Sequence, residues 1–317
     1  MADYLGFDFV DATDWLRFRL NGTVDEEYSY AALRELAAGK KIVMPGFYGA
    51  MADGSIRTFT RGGSDITGAL AAAALDADVY ENWTDVSGIL MADPRIVENP
   101  ESIPRLTYAE LRDLSYTGAQ VLHEDTIFPV AEKHIPVNIR NTNDPDHPGT
   151  VIMEAFEHDE DDGQRFITGI AGKKDYAFLS LYKKGLSNEV GTMRRIFQVI
   201  EEHEIPLEYT PNSIDTICLV LPGPQLEKKQ HGIVASLEEA LHPDKIEITK
   251  GIAIIAAIGR KMVNHPGVAG KIFSALGDAG IPIRMISQGS RAVNIILGVD
   301  NRDFARAVQV LYDSFVK

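Results

Sequence analysis

The sequence is poor in cysteine, in long hydrophobic runs and in basic charge, and each shortage excludes a class of protein. Cys218 is the only cysteine among 317 residues, so an internal disulfide is excluded. Neither a signal peptide nor an apolar run long enough to span a membrane is present, so we expect a cytoplasmic location and no membrane partner. The 31 basic and 46 acidic residues give a net charge of −15, which argues against a nucleic-acid partner.

Candidate metal ligands are also scarce. His123, His134 and His147 show no metal-ligand spacing, so we predict no metal held by protein side chains alone. The acidic run at residues 157–162 (EHDEDD) is more typical of a solvated linker than of a cation site. Cys218 lies in an apolar run and is expected to be a structural thiol.

The most informative segment is RGGSDITG, which begins at Arg61. Gly62 and Gly63 allow close approach of a ligand, and Ser64 is a good N-cap for the alanine-rich helix that follows. Helix N-termini bind anions, and Arg61 can hold a carboxylate or phosphate through two parallel hydrogen bonds. Asp65 would lie beside that anion. The alternative is an ordinary strand-to-helix turn.

A second cluster follows about twenty residues later. Residues 79–83 form an apolar and aromatic run that predicts a strand, and Thr84 and Asp85 stand at its end. Ligands of open α/β sheets bind beyond the carboxyl ends of strands, so the two clusters predict one crevice. Gly46 and Phe47 follow a predicted strand at residues 41–44 and are candidates for the same crevice, with a simple turn as the alternative.

Two further patterns predict local structure. Residues 28–38 have the pattern of a helix that stops at Gly39. Thr107 and Glu110 form a capping-box pattern ahead of a helix that runs toward Gly118.

Four motifs in order resemble the signatures of the aspartate kinases, which belong to the amino acid kinase family. They are residues 61–68 (RGGSDITG), 83–97 (WTDVSGILMADPRIV), 118–123 (GAQVLH) and 135–142 (IPVNIRNT). The resemblance implies the C-terminal portion of a three-layer α/β/α kinase domain. It also implies phosphoryl transfer from MgATP, with ATP and Mg²⁺ as cofactors, to the side-chain carboxylate of L-aspartate. Such transfer demands positioning and charge neutralisation rather than a covalent protein intermediate.

The resemblance assigns roles to individual residues. Arg61, Gly62, Gly63, Ser64 and Asp65 would bind the aspartate substrate, and Arg61 and Asp65 would also take part in catalysis. The residues assigned to the nucleotide are Gly46, Phe47, Thr84, Asp85, Arg95 and Gln120. Two positions depart from the common family pattern, because Gln120 replaces a frequent lysine and Leu90 replaces a frequent tyrosine.

The first residues resemble the interior of the kinase domain rather than its start. Aspartate kinases open with a strand and a Lys-Phe-Gly-Gly type loop whose lysine and glycines embrace the phosphates, and no such loop is found near Met1. We therefore expect a fragment, a truncated product or one half of a split enzyme.

The second half of the sequence repeats itself. Gly191, Ile196-Phe197 and Ile205-Pro206-Leu207 recur 76 residues later as Gly267, Ile272-Phe273 and Ile281-Pro282-Ile283. Each copy predicts strand, helix, strand, strand, helix, strand, which resembles a tandem pair of ferredoxin-like ACT domains. We predict a partial kinase domain at 1–150, an acidic linker at 151–163, and ACT domains at 164–245 and 246–317.

The ACT resemblance implies feedback control by lysine, threonine or both, and a homodimer formed through the ACT domains. Backbone N–H groups of two loops in the first copy would hold the effector carboxylate, and Asp215 its ammonium group. The predicted effector residues are Asn188, Glu189, Val190, Gly191, Thr192, Ser213, Ile214, Asp215 and Thr216. The alternative is that these loops are turns that close the sandwich, which is the favoured interpretation for residues 266–270 and 287–290 of the second copy.

Three functions remain open from the sequence. The first is aspartate kinase activity with feedback control. The second is a noncatalytic amino-acid-sensing subunit or inactive fragment, because the lysine loop is missing and the ACT pair is present. The third is another amino acid kinase that acts on glutamate or a nucleotide, which the TDVSG and ADPR motifs and the ACT pair disfavour.

Overall fold

The computed structural model describes residues 1–60, 62–119, 126–156, 166–289 and 293–316, with only the backbone for residues 263 and 264. The chain folds into two compact units. The first comprises Met1–Leu90, Glu101–Ser115 and Gln120–Asp161, and the second comprises Met91–Pro100, Tyr116–Ala119 and Asp162–Lys317.

The first unit mixes short helices and short strands. Its helices are α1 (Ala2–Leu5), α2 (Ala12–Trp15), α3 (Glu26–Ala37), α4 (Gly63–Ala74), α5 (Tyr108–Thr117) and α6 (Phe128–Glu132). Its strands are β1 (Asp8–Phe9), β2 (Arg17–Phe18), β3 (Ile42–Val43), β4 (Tyr48–Met51), β5 (Ile56–Thr58), β6 (Tyr80–Thr84), β7 (Ile89–Leu90), β8 (Ser102–Ile103), β9 (Arg105–Thr107), β10 (Val137–Asn141) and β11 (Thr150–Met153). The last two residues of α5 belong to the second unit.

The widest sheet of the first unit has the strand order β6-β10-β11-β9. β6 and β10 are parallel and in register from Tyr80 against Val137 to Thr84 against Asn141, so both strands end at the same edge. β11 is antiparallel to β10 and parallel to β9. Because β11 is a member of this sheet, the sheet extends past residue 150 into the stretch predicted as linker; residues 157–162 of that linker lie outside the described part of the chain.

Two local predictions for this unit are confirmed. The helix predicted at residues 28–38 is α3, and Gly39 follows it with a positive φ of 67°. The capping box also forms: the Thr107 backbone N–H donates to Glu110 Oε2 (2.9 Å), and the Glu110 backbone N–H donates to Thr107 Oγ1 (3.3 Å). A hydrophobic cluster of Trp15, Leu33 and Leu70, each at most 2% exposed, packs α2, α3 and α4 together.

The second unit is built on one antiparallel sheet with the strand order β13-β12-β14-β16-β15, in which β12 and β14 are much longer than the other strands. The strands are β12 (Gly169–Tyr182), β13 (Thr216–Pro222), β14 (Lys245–Ile258), β15 (Met285–Ser287) and β16 (Asn294–Asp300). The α-helices are α7 (Thr192–Glu202), α8 (Gly223–Leu241), α9 (Val268–Asp278) and α10 (Phe304–Val316).

Two long strands are shared by both halves of this sheet. Residues 176–182 of β12 lie between β13 and residues 245–252 of β14, whereas residues 169–173 pair with residues 254–258 of β14, beyond a bulge. The second copy of the repeat therefore obtains its fourth strand from residues 169–173, which the sequence prediction assigned to the first copy. The predicted boundary at residues 245 and 246 falls inside β14, where the sheet does not divide.

The described residues contain no helix that is long and apolar enough to cross a membrane. They also contain no group of three or more His, Cys, Asp and Glu side chains that is arranged to hold a metal ion. Cys218 is half-buried in β13, and this burial raises the pKa of its thiol, as expected of a structural cysteine.

Candidate functional site

Helix α4 begins in the glycine-rich segment, but not with the predicted cap. The prediction that Ser64 is the N-cap is wrong, because Gly62 occupies that position in a left-handed conformation (φ 60°). The Gly62 carbonyl accepts the Ile66 N–H at 3.0 Å, so the helix starts earlier than a serine cap would allow and Ser64 lies in the first turn. The first N–H groups of a helix have no acceptor within the helix, so the first turn of α4 is of the kind that can bind an anion.

The loop that contains Gly46 and Phe47 lies against this same helix start. The Phe47 backbone N–H donates to Thr67 Oγ1 (3.1 Å), and Thr67 Oγ1 donates to the Gly63 carbonyl (2.6 Å). A Cβ placed on Gly46 would lie 3.1 Å from the Ser64 Cα. The structure thus brings Gly46, Phe47 and the first turn of α4 together, as the sequence predicts.

Asp65 is hydrogen-bonded to the neighbouring strand. Asn82 of β6 donates from Nδ2 to Asp65 Oδ1 (3.0 Å) and to the Tyr80 hydroxyl oxygen (3.1 Å). The Tyr80 hydroxyl donates in turn to the Asp65 backbone carbonyl (3.2 Å). Sequence reasoning missed Tyr80 and Asn82, although period-two alternation along β6 places both on the face that carries Thr84.

The predicted nucleotide residues Thr84 and Asp85 stand at the carboxyl end of β6. The Thr84 hydroxyl donates to Asp85 Oδ1 (3.2 Å), and Asp85 is exposed. Thr142, just beyond β10, donates both its backbone N–H (2.8 Å) and its hydroxyl (2.9 Å) to the Thr84 carbonyl. The ends of the two parallel strands are therefore joined, and Thr142 is a further residue at this edge.

The rest of the TDVSG loop is held by side chains of the same unit. Asn141 Nδ2 donates to Ser87 Oγ (2.8 Å). Thr150 Oγ1 accepts the Ile89 N–H (2.8 Å) and donates to the Ile103 carbonyl (2.6 Å). These bonds fix the backbone of the loop and leave Asp85 exposed at its tip.

Three predicted residues do not form part of this described cluster. Arg61 and Gln120 lie outside the described residues. Arg95 belongs to the second unit, where its guanidinium donates to Asp93 (Nη2 to Oδ2, 2.7 Å). The hydrogen bonds from Arg95 lower the pKa of the Asp93 carboxyl.

The predicted effector loops line one cavity of about 310 Å³ in the second unit. Four predicted residues line it: Glu189, Gly191, Thr192 and Ser213. The other lining residues are Leu186, Ser187, Met193, Asn212 and Ile217, which the sequence prediction did not include. The remaining predicted residues, Asn188, Val190, Ile214, Asp215 and Thr216, do not line the cavity, and Val190 is 98% exposed.

Charged and backbone groups fix the shape of this cavity. Glu189 accepts hydrogen bonds from Lys183 Nζ (2.5 Å) and from the Arg195 guanidinium, and these bonds lower the pKa of its carboxyl to about 2. Gly191 is the N-cap of α7 with φ 85°, so the first turn of this helix lies at the cavity wall. Asp215 Oδ1 accepts the Gly185 N–H (2.7 Å), so this carboxylate closes the loop rather than pointing its charge into the cavity.

Sequence comparisons relate the chain to two families. The amino acid kinase family profile matches residues 6–141, and an ACT domain profile matches residues 255–315. Aspartokinase 3 of Bacillus subtilis is 37% identical over 275 residues, which are 86% of this chain and 60% of the relative. Bifunctional aspartokinase/homoserine dehydrogenase 1 of Arabidopsis thaliana is 32% identical over 88% of this chain and 31% of its own length. The chain thus spans less than two thirds of these relatives.

Solved structures give the same relation over nearly the whole chain. The aspartate kinase of Clostridium acetobutylicum is 44% identical with a TM-score of 0.89, over 99% of this chain and 71% of that one. Escherichia coli aspartokinase III, solved with aspartate and ADP, is 25% identical with a TM-score of 0.74, over 98% of this chain and 70% of that one.

Proposed function

Since this chain belongs to the aspartate kinases of the amino acid kinase family, we propose that it takes part in phosphoryl transfer from MgATP to the side-chain carboxylate of L-aspartate. A carboxylate oxygen of aspartate attacks the terminal phosphorus of ATP, the bond to the bridging oxygen breaks, and ADP leaves with its electron pair. The product is an aspartyl phosphate. Mg²⁺ would supply charge neutralisation on the phosphates.

The observation that carries this proposal is the position of Asp65, whose Oδ1 lies 3.0 Å from Asn82 Nδ2 beside the first turn of α4. The N–H groups of that turn favour an anion, here the aspartate carboxylate, and Arg61 immediately precedes the turn in the sequence. Thr84 and Asp85 continue the strand that carries Asn82, so the nucleotide is proposed to bind at this strand end. Phosphoryl transfer needs such positioning more than covalent chemistry.

Hydroxylamine trapping tests this function directly. The full chain with MgATP and L-aspartate is expected to form aspartyl hydroxamate, and Asp65→Asn is expected to lower its rate about 100- to 1000-fold while leaving that rate measurable. Asp78→Asn, an exposed substitution between α4 and β6, is the matched control and should keep the parent rate. Hydroxamate formation that is equal in Asp65→Asn and the parent, or that prefers glutamate, would contradict the proposal.

The cavity of the second unit is proposed to bind an amino-acid effector, lysine or threonine. Its walls combine polar and apolar side chains, and the first turn of α7 gives it a helix N-terminus that favours a carboxylate. Escherichia coli aspartokinase III has been solved with lysine and aspartate. A chain that binds an effector without turnover would instead be a sensing subunit, which is the alternative function.

Calorimetric titration with lysine and with threonine tests the cavity. Asn212→Ala removes an amide from the lining and is expected to weaken binding, whereas Val190→Ala changes a neighbouring side chain that is 98% exposed and should not. Equal effects of the two substitutions would place the effector elsewhere. We also propose that the protein is cytoplasmic and forms a homodimer through the second unit. Light scattering tests the oligomeric state, and a monodisperse monomer would contradict the dimer.

A further inference from the structure

We propose that Asn82 and Tyr80 are positioning residues that hold Asp65 in place for phosphoryl transfer, an inference that rests on the proposed kinase function. Neither residue belongs to the glycine-rich segment. Both reach that segment from β6, the strand that ends at Thr84 and Asp85. They therefore connect the proposed substrate segment with the proposed nucleotide loop.

The amide of Asn82 is a buried polar group with a defined task. Asn82 is 8% exposed, and its Nδ2 has two acceptors, Asp65 Oδ1 at 3.0 Å and the Tyr80 hydroxyl at 3.1 Å. A buried amide is costly unless it is hydrogen-bonded, so this geometry is stabilised by both partners. Loss of either acceptor would leave the amide partly unsatisfied.

Tyr80 fixes the backbone of Asp65 while Asn82 fixes its side chain. The Tyr80 hydroxyl donates to the Asp65 carbonyl at 3.2 Å. Burial raises the pKa of this hydroxyl to about 12, so it stays protonated and remains a donor at neutral pH. Gly68 makes room for it, because a Cβ at that position would lie 2.7 Å from the hydroxyl oxygen.

The type of donor matters for the chemistry. A neutral amide fixes a carboxylate oxygen without cancelling its charge, whereas an arginine or lysine in the same place would pair with it. The Asn82 amide thereby orients the Asp65 carboxyl group without adding a positive charge beside it. A carboxylate oriented in this way is suited to hold the ammonium group of an amino-acid substrate near the reacting groups.

The kinetic test uses Asn82→Ala and Tyr80→Phe in the full chain. We expect Asn82→Ala to lower kcat about 10- to 100-fold, because a misplaced catalytic group costs on this scale, while KM for MgATP changes less than about threefold. Tyr80→Phe should give a smaller loss. Glu81→Gln is the matched control, since Glu81 lies on the opposite face of the same strand, and it should keep the parent kcat.

A double substitution shows whether Asn82 acts through Asp65. Asn82→Ala should cause no further loss in an Asp65→Asn background. The double variant Asp65→Asn/Asn82→Asp again places an amide donor opposite a carboxylate acceptor, with the two residues swapped. It should therefore recover the melting temperature of the parent without recovering turnover. A purely structural network would recover both.

The outcomes separate the inference from the function on which it rests. A parent that turns over, together with Asn82→Ala at the parent kcat or with additive losses in the double variant, overturns the positioning role and leaves the kinase function standing. A parent with no aspartyl hydroxamate overturns the kinase function and the positioning role together. Turnover with a non-additive loss in Asn82→Ala supports both.

Discussion

The backbone N–H of Phe47 lies 3.1 Å from the Thr67 hydroxyl oxygen and donates to it, which fastens the loop after β3 to helix α4. Phe47 adopts a positive φ of 83°, a conformation that is costly for a residue with a side chain. Thr67 is 2% exposed, so water does not replace its hydroxyl as the acceptor of the Phe47 N–H. One buried side chain therefore maintains a strained loop at the proposed crevice.

Thr67→Val should lower the free energy of unfolding by about 1–3 kcal/mol, because it leaves the Phe47 N–H without its acceptor at nearly constant side-chain volume. Thr67→Ser keeps the hydroxyl and should cost less. Urea denaturation of the two variants measures the difference. Equal losses would mean that the methyl group, not the hydroxyl, stabilises this loop.

Gly88→Ala should be more damaging than Gly54→Ala, although both glycines have positive φ (89° and 83°). A Cβ on Gly88 would lie 2.5 Å from Thr150 Oγ1, whereas a Cβ on Gly54 meets nothing within 4 Å. Both variants place a side chain at positive φ, so this cost is common to the two. The additional loss of unfolding free energy in Gly88→Ala therefore measures the clash with Thr150, and we expect it to be about 1–3 kcal/mol in urea denaturation. Equal losses in the two variants would show that the TDVSG loop shifts freely to accommodate a methyl group.

Glu189 should stabilise the second unit in a pH-dependent way. Its pKa in the folded protein is about 2, below the ordinary value of 4.5, because Lys183 and Arg195 donate to the carboxylate. The stabilisation is therefore fully present above about pH 4.5 and is lost as the pH falls toward 2. Glu189→Gln should destabilise the protein at pH 7 and make little difference near pH 2.

Denaturation midpoints at several pH values measure this effect. Glu239→Gln, on the exposed side of α8, is the control for the loss of one surface carboxylate. High salt should reduce the Glu189 effect, because the carboxylate is 36% exposed. A Glu189→Gln loss that stays constant from pH 7 to pH 2 would contradict the role of the two ion pairs.

Residues 246–317 should not fold alone, whereas residues 166–317 should. The shorter piece lacks residues 169–173, which pair with residues 254–258 of β14 and cover a strand that is buried from Ile252 to Ile258. Circular dichroism and urea denaturation of the two pieces test this. A cooperative transition in the shorter piece would show that β14 is stable without its neighbour.

Local sequence chemistry predicted much of the fold. The capping box of Thr107 and Glu110 and the stop of α3 at Gly39 depend on residues close in sequence, so spacing alone identified them. The alternation of strands and helices also predicted strand β6, its end at Thr84 and the approach of Gly46 to α4. The ACT resemblance, rather than local sequence chemistry, assigned Glu189 and Ser213 to one effector site, and both residues line the same cavity.

Long-range geometry was not available from the same patterns. Ser64 has the chemistry of an N-cap, but Gly62 starts the helix because the incoming backbone is left-handed. Asn82 looks like an ordinary polar residue in a strand until α4 brings Asp65 to it. The repeat in the sequence gives the order of the elements in each copy but not which strands pair. It therefore could not show that residues 169–173 pair with residues 254–258 of the second copy.

The shared strands also constrain how the second unit can form during synthesis. Residues 169–173 leave the ribosome early, but their partners at residues 254–258 emerge only after all of the first repeat has been made. The β12 edge must therefore wait unpaired while β13 and α8 are already available, and long-range pairing of this kind is slow. Translation pauses between β13 and β14 would lengthen that wait, whereas swift synthesis of this stretch would protect the exposed edge from pairing with another nascent chain.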